Sequence, residues 1–170
     1  MASISGQALP PMYLIRKASA ADSQAVFDVR NAAIRSESSG HYADDIIERW
    51  TTGTVPSDGF VRFVEDVCHV IEINGEIVAT GAIDLMTGQV DAVFVRPQNL
   101  RQGLASAMMA FLEQQALDAS LDALHLESTL NAEVFYRSIG FISSGRSQYH
   151  SPRGFSMDCV VMRKRIRNAA

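Results

Sequence analysis

Arg101-Gln102-Gly103-Leu104-Ala105 is the stretch of this chain best suited to hold an anion. Before it lies Val90 to Val95, rich in β-branched and apolar residues and closed by Pro97. After it, Leu104, Met108, Phe111, Leu112 and Leu117 fall at helical spacing. The pattern predicts a strand, a tight turn and an amphipathic helix, with Gly103 where the turn becomes the helix. The first N–H groups of a helix lack internal partners and lie at the positive end of its dipole. Gly103 and Ala105 are small enough to let a phosphate or pyrophosphate approach closely. An ordinary strand-to-helix turn is the competing reading. The stretch is not a P-loop, since no Gly-Lys-Ser/Thr follows, and it lacks the earlier glycines of a dinucleotide fingerprint.

Other reactive side chains are sparse. Cys68 and Cys159 are too few for a disulfide scaffold and read as buried free thiols in a reducing cytoplasm. His41, His69, His125 and His150 are scattered, and no Cys/His pair has zinc-site spacing, so no metal is expected. Cys68 and His69 are neighbours on an expected strand and should face opposite ways. A net charge of −4 argues against a nucleic-acid binder. No apolar run is long enough to span a membrane, and the N-terminus does not read as a secretory signal, so a cytoplasmic location is expected. At 170 residues, 47% hydrophobic and 20% charged, the chain suits one globular domain over residues 12–167 behind a flexible lead-in, 1–11.

The elements that must position these groups can be read in order. Tyr13 to Lys17 is expected as a first strand. Ser19 and Asp22 fit a capping box ahead of a helix with Ala25, Val26, Val29, Ala32 and Ala33 on one stripe, ending near Ser36 to Gly40. A second helix is expected over roughly His41 to Thr51; Trp50 on it reads as core or as the wall of a substrate pocket. Gly53, Pro56 and Gly59 mark Thr51 to Gly59 as a loop, with Phe60 to Val64 a short element beside it. Val67–Ile73 and Glu76–Leu85 are strands around an Asn74-Gly75 hairpin turn, and Thr87-Gly88 makes the next turn. Leu121 to Thr129 reads as a strand. Asn131 to Ile139 reads as a helix capped by Asn131, with Val134, Phe135 and Ser138 inward, Arg137 outward and Gly140 at its C-cap. Phe141 opens another strand and Gly154 to Lys164 forms the last. The loop between them holds Tyr149, His150, Pro152 and Arg153.

This order, with two motifs, resembles the GNAT superfamily of acyl-CoA-dependent N-acyltransferases. The first motif, Val95 to Ala105 (V-R-P-Q-N-L-R-Q-G-L-A), is similar to the family's pyrophosphate-binding turn. The second, Ser128 to Phe141 (S-T-L-N-A-E-V-F-Y-R-S-I-G-F), is similar to its second signature. The terminal V-V-M-R-K-R-I resembles the usual last strand, and the similarity covers nearly everything after Pro11. One position departs: Leu100 stands where the family has Arg or Gln, so a side-chain contact is lost or supplied by Arg101 or Gln102. The implied fold is α+β, a mostly antiparallel central sheet of six to seven strands flanked by about four helices, with a splayed strand pair as the acyl-CoA cleft.

The resemblance implies acetyl transfer from acetyl-CoA to a primary amine of a small molecule or peptide, by direct attack in a ternary complex. Val93, Phe94 and Val95 would hold the pantetheine arm by backbone pairing. Arg101, Gln102, Gly103, Leu104, Ala105 and Ser106 would hold the pyrophosphate, and Asn131 would touch the arm. Tyr136 matches the family's Tyr, a phenol able to protonate the leaving thiolate. Asp91 is the candidate base, with Glu127 and His125 as rivals. Two other readings compete: a non-catalytic acyl-CoA sensor, and an α/β nucleotide binder using Gly103 for a different phosphate. A homodimer is the base-rate expectation.

Overall fold

Seven strands and five helices follow one another in residues 12–168, the part of the chain described by the computed structural model. The lead-in, 1–11, lies outside the described residues. The strands are β1 (Leu14–Lys17), β2 (Cys68–Ile73), β3 (Glu76–Asp84), β4 (Gln89–Val95), β5 (Ala123–Ser128), β6 (Ile142–His150) and β7 (Ser156–Arg165). The helices are α1 (Ser23–Glu37), α2 (Asp44–Trp50), α3 (Asp58–Val67), α4 (Leu104–Asp118) and α5 (Glu133–Ser138). The strands form one sheet in the order β1-β2-β3-β4-β5-β7-β6. Every neighbouring pair is antiparallel except β4 and β5, which run parallel. Among the described residues, no helix is long and apolar enough to cross a membrane.

The local signals explain most of the elements. Asn74 and Gly75 both take positive φ, 52° and 78°, as the β2–β3 turn requires. The Ser19 amide donates to the Asp22 carboxylate at 2.8 Å, closing one arm of the expected capping box. The same carboxylate takes a two-nitrogen fork from Arg16 at 2.8 and 2.9 Å. That fork holds the Asp22 carboxyl well below the usual carboxylate range. Arg16 also reaches Glu72, so one guanidinium ties β1, β2 and the start of α1 together.

Helices cover both faces of the sheet. On one face, Val26 and Val29 of α1 and Val64 of α3 pack with Val70, Ile77 and Ala82. On the other, Met108 and Leu112 of α4 pack with Val90, Leu124 and Met162. Gly81 sets that second packing distance: a Cβ there would stand 2.5 Å from Met108 Cγ. As expected for adjacent strand residues, Cys68 lies in the first core, while His69 packs edge-on against Phe111 of α4, ring centres 5.1 Å apart.

Three expectations need correction. The segment read as loop plus short element is the helix α3, which brings the helix count to five. Ser57 caps it by accepting from the Phe60 amide at 3.2 Å, and Phe60, Phe63, Val64 and Val67 recur at helical spacing. Gly59 is absorbed in its first turn, where a glycine costs least. Helix α5 begins at Glu133, so Asn131 lies ahead of it and Ala132 takes the cap position without a side-chain bond. Its inward face is centred on Tyr136, with Phe135 packed beside it, while Val134, 78% exposed, and Ser138 turn outward. Finally, β6 runs on to His150, so Tyr149 and His150 belong to a strand and not to the following loop.

Candidate active site

The sheet is open along one seam. Strands β4 and β5 share a single register pair, Gln89 with His125, secured by the His125 amide donating to Gly88 O at 3.1 Å. Gly88 permits this contact. Its φ is 81°, and a Cβ would stand 2.5 Å from Ala123 O. Beyond that pair the strands diverge, and the β4 edge from Val90 onward has no strand partner on that side among the described residues.

Two cavities meet in the seam. One, of about 370 Å³, runs from Val93, Phe94 and Val95 past Leu100 to the start of α4 and across to Asn131. The other, of about 500 Å³, lies between β4, β5 and the α1/α3 face, walled by Trp50, Phe60, Phe63 and Met157. Val93, Phe94, Thr129 and Ala132 line both, so the two spaces adjoin through the gap between the strands.

The first cavity ends at the start of α4. Arg101 and Gly103 both adopt left-handed backbone, φ 61° and 76°, and the helix begins at Leu104. The backbone N–H groups of residues 101–106 find no acceptor among the described residues; the first amide to do so is Ala107, bonded to Gly103 O at 3.0 Å. Six consecutive free donors at a helix start suit a phosphate or diphosphate. Of the residues expected here, Val93, Phe94, Val95, Arg101, Gly103, Leu104, Ala105, Ser106 and Asn131 line the cavity. Gln102 does not line it, and the half-buried Leu100 contributes apolar wall. Asn131 Oδ1 accepts from Ser38 Oγ at 3.5 Å, which ties the pre-α5 turn to the end of α1.

Tyr136 stands on the wall of the second cavity. It is 7% exposed, and its hydroxyl makes no hydrogen bond to a described residue. Its ring is fixed by the end of α5. The Gly140 amide bonds to Arg137 O and the Phe141 amide to Tyr136 O, each at 3.1 Å, closing a Schellman motif with Gly140 at φ 100°. That motif presses Phe141 edge-on against Tyr136 at 5.6 Å, with Phe135 on the other side at 5.1 Å. Burial alone drives the phenol's pKa upward, so it stays protonated at any working pH.

Asp91 and Glu127 also line this cavity, from the facing strands β4 and β5. Asp91 occupies a β-bulge: Ala82 pairs with Ala92 and Ile83 with Val90, leaving Asp91 unopposed. Its pKa is raised, first by loss of surrounding water and then by the charges of Asp84 and Glu127, with His125 opposing. His125, paired at the closed end of the seam, is not part of the cavity lining.

Some residues at the site carry little sequence signal. The Tyr42 hydroxyl accepts from the Leu130 amide at 2.9 Å and donates to Asp158 O at 2.7 Å, so it bridges the end of β5 to β7. Arg30 lines the second cavity from the inward side of α1. The hint for Arg30 is its spacing, four residues after Val26 and three before Ala33 on the apolar stripe. Among the described residues, no group of three or more His, Cys, Asp or Glu is arranged to hold a metal.

A mostly antiparallel sheet with one splayed parallel pair, an amide-lined helix start on one side and a buried phenol on the other, defines an acyl-transfer fold. The chain belongs to the acetyltransferase (GNAT) domain family, whose model matches residues 39–161, and it is an acyltransferase. Solved structures share its architecture. A GCN5-related N-acetyltransferase described as aminotransferase, class-II, from Rhodopseudomonas palustris matches at TM-score 0.86 and 16% identity, over 94% of this chain and 99% of that one. The PaiA N-acetyltransferase of Thermoplasma acidophilum, solved with coenzyme A, matches at 0.72 and 13%, over 91% and 99%. YncA, a putative acetyltransferase of Salmonella typhimurium solved with acetyl-CoA, matches at 0.68 and 19%, over 94% and 96%. At these identities the likeness is one of fold. No curated protein sequence matches this chain.

Proposed function

We propose that this enzyme moves an acetyl group from acetyl-CoA to a primary amine by direct attack in a ternary complex. The observation that carries the reading is the meeting of two cavities at Val93, Phe94, Thr129 and Ala132, one ending at free helix-start amides and the other bordered by Tyr136. Two of the structural relatives were solved with coenzyme A or acetyl-CoA, which supports the same donor here.

The diphosphate would rest on the amides of residues 101–106, and the arm would run along the unpartnered edge of β4 as an added strand. A β4 amide near Val93 would hold the thioester carbonyl and the oxyanion that forms from it. Asp91 would take the proton of the incoming ammonium. Its raised pKa moves it toward the amine and makes it a better base than an ordinary carboxylate. The amine lone pair then attacks the carbonyl carbon, the C–N bond forms, and the C–S bond breaks with its electrons on sulfur. Tyr136 would supply the proton that sulfur needs, and the second proton, which the nitrogen must lose to become an amide, would restore the phenol.

A phenol of raised pKa is a poor acid toward an ordinary thiolate. The cavity removes that difficulty. Burial pushes the Cys68 thiol, on the same cavity wall, up to about 12. A leaving thiolate in this space is starved of water in the same way and binds a proton more strongly than it would in solution.

Tyr136→Phe tests the assignment. Turnover should fall about 100-fold, the usual scale for a lost general acid, while the calorimetric Kd for coenzyme A changes by less than about twofold. Undiminished turnover would remove Tyr136 from the mechanism. Tighter binding of ATP or NAD than of acetyl-CoA would remove the donor.

A further inference from the structure

The acceptor cavity is lined by charges of both signs and by aromatic walls, and this inference rests on the acyl-transfer reading above. Arg30 forms one end. It is half-buried on α1, and only its Nη1 is engaged, donating to Asn31 Oδ1 at 2.6 Å and to Trp50 O at 3.2 Å. Its Nε and Nη2 find no acceptor, and no carboxylate comes within ion-pair distance, among the described residues. Burial, with the charge of Arg153 behind it, pulls its pKa down to about 10, which still leaves it protonated at neutral pH. An unpaired cation in a half-dry cavity is costly unless an anion arrives to meet it. The free edge, Nε with Nη2, is the side-on fork that grips a carboxylate with two bonds.

Arg153 keeps the Arg30 end positive without using up its fork. Arg153 Nη1 donates to Trp50 O at 3.2 Å and Thr52 O at 3.0 Å, so both guanidiniums crowd onto the end of α2. Asp91 and Glu127 form the other end, at the seam where the acetyl group would arrive. The charge acting on Arg30 is that of Arg153, whereas those acting on Asp91 are Asp84, Glu127 and His125. Arg30 enters the cavity from α1, whereas Asp91 and Glu127 enter it from β4 and β5. Trp50, Phe60, Phe63 and Phe94 also line the cavity, with no further charged side chain in the lining.

We infer that the acceptor is an elongated zwitterion: a primary amine held at Asp91 and Glu127, a carboxylate held by Arg30, and an apolar segment between them. ω-Amino acids have this form, and dipeptides share its two charged ends with an apolar side chain beside a peptide group; polyamines and aminoglycosides do not, because each would set a second cation against Arg30.

Matched pairs of acceptors test this, with thiol release and product mass as readouts: Gly-Phe against Gly-Phe amide, and 6-aminohexanoate against hexylamine, with spermidine and kanamycin alongside. The carboxylate member of at least one pair should exceed its partner about tenfold or more in kcat/KM. Arg30→Gln should bring that ratio within about twofold of unity, and Arg30→Lys should restore part of it. Equal rates within both pairs, spermidine or kanamycin as the best acceptor, or an unchanged ratio in Arg30→Gln would overturn the inference. Thiol release with no member of the panel would also overturn it. In that case calorimetry with acetyl-CoA separates the two failures: binding leaves the donor reading standing, and no binding removes both.

Discussion

The two cavities that meet at the seam are made differently. The proposed donor side is built largely from backbone: six free amides at residues 101–106 and an unpartnered strand edge. These come from two adjacent elements, β4 and α4, and the side chains beside them mainly need to be small. The proposed acceptor side is built from side chains delivered by α1, α2, α3, β2, β3, β4, β5, α5, β6 and β7. A backbone site tolerates many sequences, while a side-chain site changes with each one. Donor specificity can thus stay fixed while acceptor specificity drifts.

Three substitutions would break or sharpen this contrast. Ala105→Asp should have the largest effect. A negative charge in the first turn favours the helix dipole, so the melting temperature should hold or rise slightly. The same charge faces the diphosphate. Two like charges about 5 Å apart at an effective dielectric of about 20 repel by roughly 3 kcal/mol, and screening removes about half. Coenzyme A should bind about tenfold more weakly by calorimetry; unchanged affinity would put the diphosphate elsewhere. Trp50→Ala should act on the other side alone, raising KM for the amine about fivefold and leaving coenzyme A affinity intact. A matched loss of both would mean that the cavities are not separable.

Glu127→Gln should have the smallest effect, visible in the pH profile. Glu127 raises the Asp91 pKa by repulsion. Its removal lowers that pKa, so Asp91 stays ionised to more acidic pH. The acidic limb of kcat should move down, by less than about one unit for a single screened charge. A shift upward, or none, would argue against Asp91 as the base.

This contrast also governs what the sequence reveals. The turn at Gly103, the Asn74-Gly75 hairpin and the α1 stripe are local, and their signals lie within a few residues of the structure they make. Tyr136 is legible through its motif, including Gly140, whose left-handed backbone presses Phe141 onto the ring. Arg30 is hard to see because a lone charge on a helix reads as solvated; only its place on the apolar stripe argues otherwise. Helix α3 hides behind Pro56 and Gly59, although Ser57 and the Phe60–Phe63–Val64–Val67 spacing announce it. Asn131 misleads because an Asn ahead of a helix usually caps it, and here the chain takes one more turn before α5 begins. The Tyr42 bridge joins residues far apart in sequence, and nothing local to Tyr42 signals it.

The single Gln89–His125 pair has a thermodynamic consequence. It makes the sheet two leaves, β1 to β4 and β5-β7-β6, fastened at one corner and left without a ladder along the rest of their shared border. A molecule lying in that border would supply the missing rungs and bind only the folded form, so stability should rise with the logarithm of its concentration, by about 2.7 kcal/mol at a hundred times Kd, and the melting temperature with it. The slowest-exchanging amides should then spread from the middle of each leaf to the facing margins of β4 and β5, turning two loosely joined halves into one cooperative unit.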